Sequence, residues 1–597
     1  MQTLIHPIVT AALTAVILAG PVCAHGGQYR GPGEVQPSPG RQSTGSGTSS
    51  DGSSNSSNSA SAATNSSSPS SQASSGTSTA SPASSSGGVL SPSSRGVPLD
   101  DDLTRWEFWW EFGKDPFLRL RQTVYGADNV GLDDAWLNPR LALRARDVMP
   151  PTTADLDHVK ERIADLLGQA PGRDTISASL IALAKIGRDG NNWKLRDRIV
   201  PFLARNDQEI RETAALALGI AGNCDDATLD VLIALLQDDA AGRKLSGDSA
   251  VNERTRAFAA FGLGLLLRDA DRVASAHCMV SALTAVLDSD RSGRELQVAS
   301  IEALSLLPKA WSGAGQKALR QGIVTALERF YDLPLGPGLQ LVQAHVPTAI
   351  GRLLESADVL AQRWRERLVG ELEQGLRSGG RRVDRKVNSH IAQSAVLALG
   401  SLTAPWCVGA TESERVGRLL LRLYDSHKDH QTRWFAVLAL GRIGGECSQQ
   451  ALLDLLDGGN RALEQPWIGI ALGVLQARHR TEAEAAHRAF EADRRIGKQL
   501  LATLESARNP STKAALAIAL GLMGYKEAGD QLRSLLREES HQDDLAGYLS
   551  IALGLMRDPL AVGDIRSLLK DSSSRSQVVL HCAQSLGMLG DNAVVDD

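Results

Sequence analysis

The side chains best suited to chemistry are a few histidines that could bind a metal ion. In the stretch "SHKDH", His427 and His430 stand about one helical turn apart and could supply two ligands. They lie in the turn before a repeat helix, where exposed polar residues are ordinary, so we predict a structural role. His25 would become the N-terminus after cleavage behind Ala24, and a terminal amine with an imidazole can chelate Cu(II). Cleavage before a histidine is usually incidental, so we predict no metal site and keep copper handling through His25 as an alternative.

Motifs of the familiar enzyme classes are missing from the sequence. It holds no HExxH zinc motif, no G-x-S-x-G nucleophile turn and no P-loop. The glycines of "FGLGLLL" (261–267) follow no predicted strand, so we assign them to a core helix. Five cysteines remain once Cys23 is removed, and they form no CxxC pair, which disfavours a zinc cluster or a dense disulfide framework. We therefore predict a protein without a cofactor and without enzyme activity.

One short stretch concentrates the aromatic residues. "LTRWEFWWEFGKDPF" (103–117) begins with a T-x-x-E pattern, Thr104 and Glu107, which predicts a capping box at the start of a helix. Most of the circumference of that helix is aromatic, and a helix of this kind must be covered by something. We expect it to cap the first repeat of the fold, with a partner or a membrane surface as the alternative. The aromatic residues are Trp106, Phe108, Trp109, Trp110 and Phe112.

The first residues predict export from the cytoplasm. Residues 8–19 are apolar but too few to span a bilayer, and Val22 and Ala24 fit the small-residue cleavage pattern, so we predict a signal peptide over residues 1–24. No later stretch is long and apolar enough for a membrane helix. We therefore expect a secreted or periplasmic protein with no transmembrane helix after signal removal.

A serine-rich arm follows, which we bound at residues 25–98. From Ser38 to Arg95 nearly every second residue is serine, and most others are Gly, Thr, Asn, Ala or Pro. Such a composition buries too little apolar area to offset the entropy lost on ordering. We predict a disordered, low-complexity tether, followed by the Trp-rich capping segment at 99–150.

Beyond Thr175 one phrase recurs along the chain. Clear copies are "TAALALGIAG" (213–222), "FAVLALGRIGG" (435–445) and "AALAIALGLMG" (514–524), and second amphipathic segments lie between the copies. The clearest intervals between glycines of the Leu-Gly step are 32 or 33 residues, which is typical of a helical solenoid. These glycines are Gly187, Gly219, Gly264, Gly400, Gly441, Gly473, Gly521, Gly554 and Gly587.

The repeats resemble the HEAT-repeat family, including the HEAT-like type shared with phycobilisome lyases. In that family the second helix opens with Asp or Asn, and an Arg or Lys follows four residues later, before the Ala-Leu-Gly phrase. We predict that the first residue caps the helix and that the base reaches a neighbouring repeat. The matching pairs are Asp207/Arg211, Asn252/Arg256, Asp429/Arg433 and Asn509/Lys513, whereas Ser179, Gln297, Ala546 and Val579 occupy the base position in copies that depart from the pattern.

The resemblance covers roughly residues 155–591 and implies an all-α solenoid, bounded here at 151–592, whose second helices tend to line a concave face. The N-terminal "AHGGQYRGPG" and the Trp-rich block also resemble those of secreted bacterial HEAT-repeat proteins. Net charge is −5, with acids and bases mixed along the chain, which disfavours a nucleic-acid partner.

We expect a non-enzymatic extracytoplasmic scaffold that binds a protein or a cell-envelope component along that concave face. The repeat type also leaves open an enzyme of phycobilisome-lyase type, although export argues against a cytoplasmic pigment substrate.

Overall fold

The structure is a computed structural model of the chain. It describes residues 105–118 and 153–590, with short gaps at 170–171, 188, 191, 269–272, 310–312, 378–387 and 459–462. The predicted signal peptide, the predicted serine-rich arm and most of the 99–150 segment lie outside the described residues, and so do His25 and Thr104.

Every regular element within the described ranges is a helix, so the predicted all-α class is confirmed there. The first half contains α1 (Trp106–Gly113), α2 (Asp115–Leu118), α3 (Thr153–Gly168), α4 (Arg173–Ile186), α5 (Leu195–Ile199), α6 (Gln208–Ile220), α7 (Asp226–Gln237), α8 (Ala240–Ser246), α9 (Glu253–Arg268), α10 (Val273–Leu287), α11 (Arg294–Leu304), α12 (Ala314–Asp332) and α13 (Pro337–Gln343).

The second half continues with α14 (His345–Leu353), α15 (Val359–Arg377), α16 (Ser389–Leu402), α17 (Thr411–Ser426), α18 (His430–Ile443), α19 (Glu446–Asp457), α20 (Gln465–Ala485), α21 (Arg494–Ser506), α22 (Pro510–Met523), α23 (Gly529–Glu538), α24 (Asp543–Met556), α25 (Val562–Asp571) and α26 (Ser576–Leu589). Short 3₁₀ helices lie at Val200–Ala204, Lys526–Ala528 and Pro559–Ala561.

The helices that carry the Ala-Leu-Gly phrase, called second helices here, form one continuous row. α4 packs on α6, and each later second helix packs on the next one along the chain, through α9, α11, α14, α16, α18, α20, α22 and α24 to α26. The first helix of each pair packs against its own second helix, as α17 does on α18 and α25 on α26. Each repeat therefore buries its apolar stripe against its neighbours, as a solenoid requires.

The glycine of each Leu-Gly step lets successive second helices approach closely. A Cβ atom on Gly473 would lie 2.8 Å from the Cα of Ala519, and one on Gly400 would lie 3.0 Å from the Cα of Ala439. In both cases the alanine stands two residues before the glycine of the next repeat. Any larger side chain would push the two backbones apart, so this contact explains why the phrase recurs.

The Asp or Asn that opens each matching repeat lies at the start of its second helix. Asp207, Asn252, Asp429 and Asn509 each accept a hydrogen bond from a backbone N–H two or three residues further on, at 2.8–3.3 Å. These bonds satisfy donors that a helix start leaves without intrahelical partners.

The bases of the ladder bind backbone carbonyls or acids next to their own helix. Arg433 donates to the carbonyl oxygen of Tyr424 at 2.6 Å and to the carboxylate of Glu464, in the following repeat, at 2.8 Å. Arg211 donates to the carbonyl oxygen of Arg205 and to the carboxylate of Asp248. Arg256 donates to the carbonyl oxygen of Leu236, and Lys513 donates to the carboxylate of Glu539.

Three negative findings hold for the described ranges. No helix there is long and apolar enough to cross a membrane. No group of three or more His, Cys, Asp or Glu side chains there could hold a metal ion. Within these ranges Cys278, Cys407, Cys447 and Cys582 are free thiols.

Candidate helix-binding site

The aromatic helix α1 lies against the last three second helices. The indole Nε1 of Trp106 donates to Ser511 Oγ on α22 at 2.9 Å. Its ring lies 5.1 Å from that of Tyr548 on α24, measured between centroids. Glu111 lies 3.4 Å from the Nε2 of His581 on α26. We call α1 the docking helix.

This position corrects the expectation that α1 caps the first repeat. Its contacts are with residues more than four hundred positions further along the chain, on α22, α24 and α26. Arg105 is the N-cap of α1 and makes no side-chain cap bond, and Thr104 of the predicted capping box lies outside the described residues. Glu107 binds Ser511 and Arg105 instead of closing the helix start, since a neighbouring hydroxyl and a guanidinium are both within its reach.

Burial of the aromatic residues is as expected for a covered helix. Trp110 is fully buried, Trp106 is 2% exposed and Phe108 is 5% exposed. Trp109 is partly buried, and Trp110 stacks on Phe117 of α2 at 6.1 Å between centroids. The side chain of Phe112 lies outside the described residues.

The two glutamates of the docking helix meet hydrogen-bond donors on the solenoid. Ser511 Oγ donates to Glu107 Oε1 at 2.5 Å, and the Tyr548 hydroxyl donates to Glu111 Oε1 at 3.2 Å. The buried ammonium of Lys114 lies 2.6 Å from the other oxygen of Glu111. Charged or polar partners therefore surround both carboxylates in a site that is largely closed to water.

These surroundings shift the pKa values of the contact residues. Burial raises the pKa of Glu111, but the hydrogen bond from His581 and the charge of Lys114 outweigh burial and lower it to about 2. Burial and the nearby carboxylates of Glu111 and Glu107 raise the pKa of Tyr548 well above its usual value. Glu111 is therefore ionised and Tyr548 is a neutral donor over the whole physiological pH range.

Ser511, Tyr548 and His581, which contact the docking helix, and two residues beside them occupy equivalent positions in successive repeats. Ser511, Asp544 and Gln577 each stand ten residues before the glycine of their own Leu-Gly step. Tyr548 and His581 each stand six residues before theirs. All five lie in the first turns of α22, α24 and α26, and we call them the docking surface. A single helix laid across three repeats can meet such a surface because the stack presents the same register three times.

The comparisons with known proteins identify the repeat type. The family model described as "PBS lyase HEAT-like repeat" matches residues 432–458, which span most of α18 and α19. The helix opening found at α18, a capping Asp or Asn followed four residues later by a base, recurs at α6, α9 and α22. The chain is a HEAT-repeat protein.

No curated protein sequence matches this HEAT-repeat chain. It is similar to a solved structure of Kap121p, with a TM-score of 0.33 and 13% identity, covering 80% of this chain and 49% of Kap121p. Kap121p bound to Pho4p gives a TM-score of 0.34 and 13% identity, covering 79% of this chain and 49% of Kap121p. The chain is also similar to importin beta in a polyethylene glycol condition, with a TM-score of 0.37 and 12% identity; 80% of this chain and 71% of importin beta are covered. The chain spans about half the length of Kap121p. At these values the likeness carries no argument about what the HEAT-repeat chain binds.

A glycine on α24 makes room for the imidazole of the docking surface. A Cβ atom on Gly547 would collide with Nδ1 of His581, which is 1% exposed. The ring of Tyr548 lies 5.0 Å from that of His581 and completes the layer beneath the docking helix. The identity of residue 547 thus decides whether this HEAT repeat can place an imidazole opposite Glu111.

The histidines of "SHKDH" are placed in structural roles. His427 Nδ1 accepts from the backbone N–H of Asp429 at 3.2 Å, and burial lowers the pKa of His427. His430 stacks on Trp434 at 5.9 Å between ring centroids. The two side chains therefore take part in a turn and in an aromatic stack.

Sequence reasoning missed the docking surface. Ser511, Tyr548 and His581 stand inside repeat helices whose sequence predicts core, and α24 and α26 depart from the ladder only at Ala546 and Val579, which point to no ligand. Aligning the HEAT repeats on their glycines supplies a usable signal, because it puts Tyr548 and His581 at one register position. In two consecutive repeats this position carries an aromatic or imidazole ring with a hydrogen-bonding atom, which is typical of a binding surface rather than of a helix core.

Proposed function

We propose that this HEAT-repeat chain is a non-enzymatic extracytoplasmic scaffold that binds a helical segment of a partner protein on its row of second helices. The observation that carries the proposal is the docking helix itself. An aromatic helix, distant in sequence, is seated on three consecutive second helices by ring contacts and by hydrogen bonds to both of its glutamates. A surface that recognises one amphipathic helix in this way uses the helix-in-groove mode of peptide recognition.

Export rests on the sequence of residues 1–24, and the proposal assigns the chain to the periplasm or the cell exterior. N-terminal sequencing of the chain recovered from the extracytoplasmic fraction should begin at His25. A chain that retains residues 1–24 and stays in the cytoplasmic fraction would contradict this part of the proposal.

The binding function is tested by capture and crosslinking. The mature chain, residues 25–597, is immobilised and exposed to the extracytoplasmic fraction, and a captured protein is mapped by crosslinking and mass spectrometry. Crosslinks to second helices such as α22 and α24 are expected, because these helices form the continuous row. Capture of nothing, or crosslinks confined to first helices such as α23 and α25, would overturn the proposal.

The absorbance spectrum of the purified mature chain tests the absence of an enzyme cofactor. The scaffold proposal predicts absorption by aromatic side chains alone. A bound pigment, or a stoichiometric metal found by elemental analysis, would favour the phycobilisome-lyase or copper alternatives.

A further inference from the structure

The docking helix stands outside the row of second helices that forms the repeat stack. It precedes the first repeat helix, α3, and residues 119–152 connect the two segments. Its partners on the solenoid are side chains: Ser511, Tyr548 and His581. The second helices pack on one another through Gly-Ala contacts that do not involve α1. The stack therefore does not need the docking helix in order to form.

The chemistry of the docking surface specifies what kind of helix it accepts. Hydroxyl donors on Ser511 and Tyr548 meet the carboxylates of Glu107 and Glu111, which are four residues apart on the docking helix. Trp106 and Trp110 have the same spacing and are both buried. Residues four apart lie on one helix face, so the recognised pattern is W-E-x-x-W-E.

Several buried polar atoms at this contact lack a partner in the described part of the chain. They are Glu107 Oε2, Trp110 Nε1 and His581 Nδ1, on residues that are 3%, 0% and 1% exposed. A buried donor or acceptor without a partner weakens binding, because it has given up its hydrogen bonds to water. Two of these atoms belong to the docking helix and one, His581 Nδ1, to the docking surface, so the intramolecular contact leaves polar groups unpaired on both sides and a free helix can compete with it.

We propose that the docking surface is a binding site for a partner helix of the pattern W-E-x-x-W-E, and that the docking helix is its tethered competitor. This inference rests on the proposed function, which assigns protein binding to the row of second helices. The partner class is an amphipathic helix with two tryptophans and two glutamates on adjoining faces. A partner occupies the site only when the docking helix leaves it.

Tethering sets the strength of the competition. Linking a ligand to its own site gives it an effective concentration on the order of millimolar, and linked sites gain about 10²–10⁴-fold in apparent affinity. A free helix must overcome that advantage in the intact chain. Disabling the docking helix should therefore tighten the binding of a free helix by about 100-fold or more.

The test uses a fluorescein-labelled peptide with the sequence of residues 103–118 and the mature chain. Anisotropy titrations compare the wild-type chain with a Trp106→Ala, Trp110→Ala chain, whose docking surface is unchanged. We expect an apparent Kd about 100-fold lower for the double variant. A third chain adds Ser511→Arg to the double variant, which should abolish binding because the larger side chain occupies the position that meets Trp106 and Glu107. The matched control adds Ser534→Arg, on the first helix α23, and should bind like the double variant.

A second route to an empty site protects the test against misfolding. If circular dichroism shows that the double variant has lost helix, Glu111→Arg replaces it, since this change removes the acceptor of the Tyr548 hydroxyl and would place an unpaired guanidinium in the buried contact beside His581. A peptide in which both glutamates are glutamine should bind at least tenfold more weakly, because the donors on Ser511 and Tyr548 would lose their charged acceptors.

Two outcomes would overturn the inference. Equal affinity for the wild-type and the displaced chains would show that the peptide binds elsewhere, and no saturable binding to either displaced chain would show that the surface is not a ligand site. If a captured partner still crosslinks to the second helices, such a result would refute this inference and leave the proposed function standing. Failure to capture any partner would refute the proposed function while leaving the peptide result intact.

Discussion

The first repeats and the last three repeats share one architecture and differ in what their second helices present. In both regions the glycine of the Leu-Gly step packs on the next second helix, as Gly264 does on Ala303 and Gly521 on Ala552. Ten residues before that glycine, the second and third repeats carry the charged Glu209 and Arg254, whereas two of the last three repeats carry the neutral Ser511 and Gln577. The shared glycines therefore build the stack, and the residues in the first turns determine what each part of the stack can bind.

The hydrogen-bond donors at the start of the second helices differ between the region that holds the acidic docking helix and the first repeats. In the first repeats Arg254 is paired with Glu212 at 2.8 Å, so its guanidinium is already engaged, and burial raises the pKa of Glu212. Glu209 is paired with Arg173 at 3.4 Å. In the last repeats the hydroxyl groups of Ser511 and Tyr548 meet the incoming glutamates. The last repeats therefore offer hydroxyl donors to the carboxylates of the docking helix, and these donors act beside the acidic Asp543 and Asp544 in the first turn of α24.

The largest expected effect comes from removing the two buried tryptophans. Trimming a buried Trp to Ala costs about 3–5 kcal/mol, limited here by the free energy that docking itself supplies. Trp106→Ala with Trp110→Ala should therefore speed amide hydrogen exchange over 510–590 and leave 173–268 unchanged. Faster exchange confined to 173–268 would mean that the aromatic helix covers the first repeats after all.

Acid should release the docking helix from the last repeats. Contact with Lys114 and His581 lowers the pKa of Glu111 from 4.5 to about 2, so the docked state binds fewer protons than the undocked state. The contribution from His581, on the solenoid, stabilises docking; it is fully present above about pH 4.5 and is lost as pH falls towards 2, whereas the contribution from Lys114 stays with the docking helix. Asp544, whose pKa burial raises, opposes part of this loss.

The measurement that checks the acid effect is the exchange of 510–590 between about pH 6 and pH 3, corrected for the intrinsic pH dependence of exchange. A Glu111→Gln chain should lose most of the acid sensitivity in this region. If the wild type and Glu111→Gln respond identically, Glu111 does not hold the helix.

The glycine contacts should matter equally in both regions. Gly264→Ala would place a Cβ 2.6 Å from Ala303 Cα, and Gly521→Ala would place one 2.5 Å from Ala552 O. Overpacking of this kind typically costs about 1–3 kcal/mol in the free energy of unfolding. Gly370→Ala is the matched control, because its Cβ would meet open space and should stabilise α15 by up to about 1 kcal/mol. Denaturant titrations measure the free energy of unfolding of each variant. If Gly264→Ala and Gly521→Ala were as stable as Gly370→Ala, close packing at these glycines would not hold the two regions together.

The helix caps should give the smallest effect, again in both regions. Asp207→Ala and Asn509→Ala each remove the acceptor for backbone donors at a helix start, which typically costs about 1 kcal/mol. Local exchange should rise at α6 in the first variant and at α22 in the second. A loss several times larger would assign these side chains a role beyond capping.

The fold was predictable from sequence because its determinants are local and repeated. A capping residue such as Asp429, a base four residues later and a glycine eight residues after that fall at the start of or within one helix, and four repeats carry all three. The need to cover α1 was predictable too, since its aromatic residues leave little polar surface. The sequence could not show which repeats cover α1, because Trp106 and Ser511 are 405 residues apart and no periodicity links them. An aromatic residue six residues before the repeat glycine, such as Tyr548, marks a repeat that could cover α1. Phe435 and Trp467 occupy the same position in earlier repeats, so this signal alone does not identify the repeat.

A double-mutant cycle between Glu111 and Tyr548 tests the central claim most directly, because it asks whether two residues 437 positions apart interact. The variants are Glu111→Gln, Tyr548→Phe and their combination, with the free energy of unfolding as the readout. The matched control cycle pairs Glu111→Gln with Thr213→Val, which stands at the same register as Tyr548 in the first repeats. Docking on the last repeats predicts a coupling free energy of about 1–2 kcal/mol for the first cycle and none beyond about 0.3–0.5 kcal/mol for the control. Coupling to Thr213, or none to Tyr548, would contradict the account.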